Sequence, residues 1–263
     1  MKKKLRWLLG ILLVIALVTS GYRIVQIMAE YAQTEAARQE AIDRAVVLAD
    51  EALPAAAVNP AEGLKGAAEA APPAETPPIT VDFGALHESN PEIVGWLYCA
   101  DTNINYPVAQ TDDNTYYLNH LYNGKSGRSG TLFVDCACSP DFSDRNTVIY
   151  GHHMKSGSMF ASIVEYHSQE YYEAHPVMYL LTPEENYRLD IFGGYVVESG
   201  SQRLFSLDEE AGFIAYLEEI RELSDFTADV DVTPKDRIVT LATCTYEYDG
   251  ARYLLFAAMT AIG

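Results

Sequence analysis

Two side chains near the C-terminus are spaced for acyl transfer. Cys244 ends the run Thr240-Leu241-Ala242-Thr243-Cys244, and eight residues later Arg252 opens the apolar run Tyr253-Leu254-Leu255-Phe256. If the two runs pair antiparallel, a thiol and a guanidinium meet at one end of the hairpin. His152, in Tyr150-Gly151-His152-His153, adds a proton carrier. A nucleophile, a proton carrier and a fixed cation are sufficient for attack on a carbonyl and for holding the oxyanion that results.

Each residue also has a plainer reading. A free cysteine is commonly buried and inert. Arg252 lies close to Glu247 and Asp249, where a loop ion pair would contribute little. His152 follows the β-branched run Asn146-Thr147-Val148-Ile149-Tyr150, and strand alternation puts only one of His152 and His153 on a given face without deciding which. At ordinary acidities, about 3% thiolate and about a quarter imidazolium coexist at pH 7, roughly one active pair in a hundred if they titrate independently.

The elements that would carry these groups are short and strand-like. Runs at 94–99, 104–108, 131–135, 147–150, 177–181, 187–197, 238–243 and 253–259 are β-branched or aromatic and are separated by Gly, Asn, Asp and Pro. Eight such runs predict a mainly β fold, an antiparallel barrel with peripheral helices. Helical spacing is expected over 157–172 and over 208–223, where Phe213, Ile214, Leu217 and Ile220 recur.

The N-terminal third differs. Basic residues Lys2 to Arg6 precede an uncharged stretch from Trp7 to Tyr22, and apolar character resumes after Arg23 up to Met28. That continuation favours a retained anchor over a cleaved signal, with the long Arg23 stem snorkelling toward the interface. The positive end then stays in the cytoplasm and the remainder is extracytoplasmic. Residues 29–53 read as a helix leading outward, and the Ala/Pro/Glu composition of 54–78 as an extended tether. The expected division is an anchor over 1–28, a helix and tether over 29–79, and a catalytic domain over 80–263.

A formal net charge of -19 argues against a nucleic-acid partner. Cys99, Cys136, Cys138 and Cys244 make no recognisable disulfide framework, and Cys99 reads as a buried unpaired thiol. The Cys136-Ala137-Cys138 segment lacks the ligands for a convincing metal site, and no cofactor is expected.

These motifs resemble those of sortases, the cysteine transpeptidases of the Gram-positive cell surface. The resemblance rests on Asn146 to His152, Thr240 to Cys244, and Arg252. It extends to Asn90-Pro91-Glu92-Ile93-Val94-Gly95-Trp96-Leu97, Thr102 to Val108 and Asn114-Thr115-Tyr116-Tyr117-Leu118, which look like the class B branch. It implies a closed eight-stranded barrel, with the 208–223 helix as the class B insertion before the penultimate strand, and no second membrane helix of the class C kind. It selects His152 over His153 and implies catalytic roles for His152, Cys244 and Arg252. Asn114, Leu118, Leu204, Ala242 and Thr243 are implied to bind substrate. Ala242 stands where the family often has Ser, so a hydroxyl contact is missing there.

The implied partners are surface proteins bearing a C-terminal NPxT-like sorting signal, and an amine of peptidoglycan, lipid II or a pilin lysine. The implied reaction passes through a thioacyl-enzyme. Two rivals stand beside it. A papain-like hydrolytic peptidase shares Cys and His but usually places Cys first and lacks the Arg; an inert binding domain would not need all three.

Overall fold

A computed structural model describes residues 2–48, 76–198, 209–244 and 250–262. The expected tether at 54–78 falls outside these residues except for its last three positions, and so does Leu204. Eight strands form one closed barrel: β3 (Ile93–Tyr98), β4 (Asn105–Ala109), β5 (Leu132–Val134), β6 (Asn146–Tyr150), β7 (Val177–Leu181), β8 (Asn186–Glu198), β9 (Arg237–Cys244) and β10 (Ala251–Ile262). Each of the eight strand-like runs therefore forms a barrel strand. Around the barrel the order is β10-β8-β7-β3-β4-β5-β6-β9, and β9 closes the circle on β10.

The barrel is mixed rather than antiparallel throughout. β4 pairs with β5 in parallel, and β6 pairs with β9 in parallel. Parallel neighbours need long crossovers, and both pairs have them. Residues 110–131 link the first pair; the second is separated by β7, β8 and the helix α4 (Glu210–Leu223). That crossover brings the C-terminal ends of β6 and β9 to one end of the barrel.

The barrel is filled by apolar side chains such as Leu97, Val108, Leu180, Leu189, Leu241 and Leu255, all essentially inaccessible. The segment expected to be helical over 157–172 divides into a 3-10 helix, Phe160–His167, and a short helix α3, Gln169–Ala174. The buried residues Phe160, Ile163 and Tyr166 recur every third position, the period at which 3-10 side chains align. The Ser168 hydroxyl accepts from Tyr171 N and caps the new helix.

The N-terminal helix α1 runs unbroken over Lys2–Ala45. It stops short of the expected 53, where Val46-Val47 leave the helix for β1 (Val46–Leu48), paired with β2 (Ile79–Val81). β-branched residues lose little by extending and more by coiling. A short helix α2 (Phe83–His87) follows, capped by the Asp82 side chain on Ala85 N. Ala37, Ala41 and Ala45 are buried with Ile79, Leu86 and Trp96, so the second half of α1 packs on the barrel through small residues.

Candidate active site

Strand register assembles one wall of the site. β9 and β10 pair so that Cys244 lies directly across from Arg252. β6 runs parallel to β9 with Tyr150 level with Ala242, and Gly151 N donates to the Ala242 carbonyl at 3.1 Å. His152 and Cys244 thus each follow the last paired residue by two positions. With neighbouring strands about 4.8 Å apart, the backbones of 152, 244 and 252 come to one level on three adjacent strands. Gly151 is crowded here: a Cβ would fall 2.5 Å from Leu132 Cδ2 and Phe160 Cδ2, so a larger residue would have to push those side chains aside.

A cleft of about 260 Å³ opens at this end, lined by Asn114, Leu118, Phe133, Tyr150, Gly151, His152, Ala242, Thr243 and Arg252. Its second wall is the β4–β5 connection. A single 3-10 turn, Tyr116–Leu118, is fixed there by Asp113, whose Oδ1 accepts from Thr115 N, Thr115 Oγ1 and Tyr116 N at 2.5–2.8 Å. These bonds, that of the Thr115 hydroxyl first, hold the exposed Asp113 carboxyl below its usual range. Thr131 N donates to the Tyr117 carbonyl at 3.0 Å, which closes the turn onto β5. Gly130, at φ 61°, allows this approach, since a Cβ would lie 2.1 Å from that carbonyl oxygen.

The walls meet at His152. Its Nε2 lies 2.7 Å from the Leu118 carbonyl oxygen, which can only accept, so Nε2 carries hydrogen. Nδ1 is thereby the nitrogen left for proton exchange.

Beneath the cleft lies Asp135, only 4% exposed. Its Oδ2 accepts from Tyr150 Oη and from Asn114 Nδ2, both at 2.9 Å, and its Oδ1 from Ala137 N at 2.8 Å. Asn114 Oδ1 in turn accepts from Cys136 N at 2.8 Å. The Tyr150 ring packs on Phe133 at a tilt of 39°, with centroids 5.3 Å apart, and the Arg252 guanidinium lies 5.8 Å from the Tyr150 ring centre, within cation–π range. Burial and the Asp135 charge push the Tyr150 phenol up, with Arg252 opposing, so Tyr150 remains a neutral donor. One carboxylate therefore fixes Asn114 on the loop wall and, through Tyr150, the ring that supports Arg252 on the strand wall.

The cleft brings together His152, Arg252, Asn114, Leu118, Ala242 and Thr243 from the residues singled out in the sequence, with the Cys244 backbone at its edge. Leu204 lies outside the described residues. Sequence reasoning missed Phe133, Tyr150, Gly151 and Asp135. Tyr150 was legible as the strand residue two before His152, but the bond from Tyr150 to Asp135 spans fifteen residues and two strands.

An eight-stranded barrel of this order, with a His, a Cys and an Arg carried to one end, sets out a nucleophile, a proton carrier and a cation for cysteine-dependent acyl transfer. The Sortase domain family model matches residues 97–260. The chain is 39% identical over 165 residues to Sortase B of Listeria monocytogenes, covering 62% of this chain and 67% of that protein. It is 32% identical over 171 residues to Sortase B of Staphylococcus aureus, covering 65% and 70%. The crystal structure of Staphylococcus aureus Sortase B superposes with a TM-score of 0.65 at 30% identity, over 69% of this chain and 87% of that one. That of the Bacillus anthracis protein similar to sortase B gives 0.63 at 37%, over 68% and 82%. The chain belongs to the sortase family of cysteine transpeptidases, in its class B branch.

Proposed function

We propose that the chain is a membrane-anchored transpeptidase that cleaves an NPxT-like C-terminal sorting signal after Thr and passes the protein to a peptidoglycan, lipid II or pilin amine. The observation that carries this reading is the register that sets Cys244 opposite Arg252, with His152 ending the strand beside them. The Cys244 thiolate attacks the Thr carbonyl, and Arg252 holds the oxyanion. His152, protonated at Nδ1, donates to the leaving amine; the C–N bond breaks and a thioester remains. An acceptor amine then attacks the thioester, neutral Nδ1 takes its proton, and the sulfur leaves as thiolate.

Asn114, Leu118, Ala242 and Thr243 are placed in this reading along the peptide, and Leu204 in the segment that covers it. The Leu118 carbonyl supports the scheme because it takes the Nε2 hydrogen and so leaves Nδ1 for the proton transfers. The apolar exposed half of α1 supports a single-pass anchor, with the barrel outside the membrane. In this division 1–28 anchors, 29–79 connects and 80–263 catalyses.

The test is incubation of the purified chain with a fluorogenic NPxT-type peptide, with and without an amine acceptor, followed by mass spectrometry of the protein. The expected result is an acyl adduct on Cys244 and an amine-dependent product. Cleavage that ignores every amine would make the chain a hydrolytic peptidase.

A further inference from the structure

The helix α1 changes environment within about two turns. From Leu9 to Met28 its large apolar side chains are exposed, Met28 at 65%, whereas Thr34, Ala37 and Ala41 are buried against the barrel at 9% or less. No break separates the two parts, because α1 is continuous over Lys2–Ala45. The depth of the domain relative to the apolar stretch is therefore fixed by helix geometry. Twenty residues, 9–28, rise about 30 Å, the thickness of a bilayer's hydrocarbon core. Arg23 lies about 7.5 Å inside that limit, within snorkelling reach of the surface. The headgroup layer beyond Met28 then takes up about four or five residues of helix.

Those residues are the ones the barrel loops hold. Glu30 Oε2 meets Arg128 Nη1 at 3.4 Å, Gln33 Nε2 donates to the Ser126 carbonyl at 3.3 Å, and Thr34 Oγ1 lies 2.8 Å from Ser129 Oγ. A cavity of about 110 Å³ joins Ile27, Glu30 and Tyr31 of the helix to Arg128, Ser129 and Met154. Met154 follows His152 by two residues. The loops at 123–129 and 152–158 thus stand beside the first turns of helix above the apolar stretch.

Their charge is unlike that of the rest of the chain. Residues 114–134 and 151–164 contain Lys125, Arg128 and Lys155 and no Asp or Glu, in a protein of formal net charge -19. Residues 208–236, by contrast, carry ten Asp or Glu against Arg221 and Lys235. An anionic surface attracts the first region and repels the second. The Arg128–Glu30 pair is exposed and leaves the cationic character of the loops largely intact.

We propose that residues 123–129 and 152–158 form a face that binds anionic lipid headgroups and seats the barrel directly on the bilayer, so that the catalytic cleft opens at the membrane surface. This rests on the reading of α1 as a membrane anchor. Each Lys or Arg on such a face contributes about a fivefold gain in binding at low salt, and the gain fades as salt screens it.

The test uses the full chain in nanodiscs of phosphatidylcholine, alone or mixed with phosphatidylglycerol, in a Cys136→Ser, Cys244→Ala background. A fluorophore is attached at Val18→Cys, Ser156→Cys or Glu184→Cys, and quenching by spin-labelled lipids is read. Glu184 lies in the β7–β8 turn, at the barrel end opposite Arg252, because Asn186 pairs with Ile262 while Val197 pairs with Arg252. The expected result is acyl-chain quenching at 18, headgroup quenching at 156, and none at 184. Reversing Lys125, Arg128 and Lys155 to Glu should cut the quenching at 156 severalfold in the anionic discs while 18 is unchanged. Absence of quenching at 18 would sink the anchor reading. Quenching at 18 with 156 and 184 alike, or a charge reversal without effect at 156, would overturn the docking face alone.

Discussion

The two walls of the cleft are built by different physics. On the strand wall, Cys244 and Arg252 sit in a backbone ladder and His152 two residues beyond another, and a slip of one residue would turn every ladder side chain to the other face. On the loop wall, Asn114 and Leu118 are placed by side chains: Asp113 shapes the turn, Gly130 admits it and Asp135 tethers it. The strand wall is thus secured by many weak and redundant contacts, and the loop wall by a few bonds without substitutes. Changes of chemistry should therefore register most on the strand wall, and changes of support on the loop wall.

The largest effect is expected on the strand wall itself. Cys244→Ala should remove thioacyl formation altogether while leaving the thermal transition in place, as followed by mass spectrometry and calorimetry. Detectable acyl transfer in that variant would end the nucleophile assignment. Arg252→Ala should follow, with a loss of roughly 100- to 1,000-fold in turnover, the range for removing one oxyanion donor. Arg252→Lys should recover little, since an ammonium lacks the planar fork that both lies over Tyr150 and reaches an oxyanion. A KM change without a kcat change would instead make Arg252 a binding residue.

Support of the loop wall comes next. In Gly130→Ala the new methyl would collide with the Tyr117 carbonyl, at a position whose positive φ already disfavours a side chain. The turn must shift, carrying with it the Leu118 carbonyl that holds His152. Misplacement of this kind costs up to about 100-fold in rate, and it should fall on kcat more than on KM. An unchanged kcat in a folded Gly130→Ala enzyme would show that Leu118 does not orient His152. Asp135→Ala should cost less in rate, about tenfold, but more in stability. It leaves the half-buried Tyr150 hydroxyl and Asn114 amide without their acceptor, at about 1 kcal/mol for each, since both border the open cleft. Asp135→Asn, which retains an acceptor oxygen, should restore part of the rate.

The same division explains what the sequence made legible. Alternating β-branched runs disclosed each barrel strand, and the hairpin spacing put Cys244 across from Arg252, because period and turn are local properties. The parallel joins of β4 with β5 and β6 with β9 were not legible, since nothing within a strand reports its partner's direction. Nor was the role of Asp135, which depends on bonds across fifteen and twenty-one residues of chain. Nor was the docking of α1 on the barrel, since Ala37, Ala41 and Ala45 carry little apolar surface, yet their small side chains allow a close approach. The period of three at Phe160, Ile163 and Tyr166 is in the sequence, but helical spacing over so short a run does not separate a 3-10 helix from an α-helix.

The smallest effect concerns two thiols, one in each kind of structure. Cys99 follows β3, is 1% exposed, and has its pKa raised above the ordinary thiol value chiefly by burial. Cys138 lies in the β5–β6 connection that carries Asp135; burial, with the Asp135 and Asp144 charges adding to it, pushes its thiol up to about 11. A raised thiol pKa favours the protonated form in the folded protein, so this contribution to stability is complete below the unfolded value near 8.5 and is lost as pH rises toward 11. In the Cys244→Ala variant at pH 8, exposed Cys136 should alkylate promptly, while Cys99 and Cys138 should wait for an opening of the fold. If the β5–β6 connection, which tethers the loop wall through Asp135, depends on fewer bonds than the strands, Cys138 should react ahead of Cys99, and Asp135→Ala should accelerate Cys138 alone. Equal rates for the two thiols, with or without Asp135, would mean that the loop wall opens only when the whole barrel does.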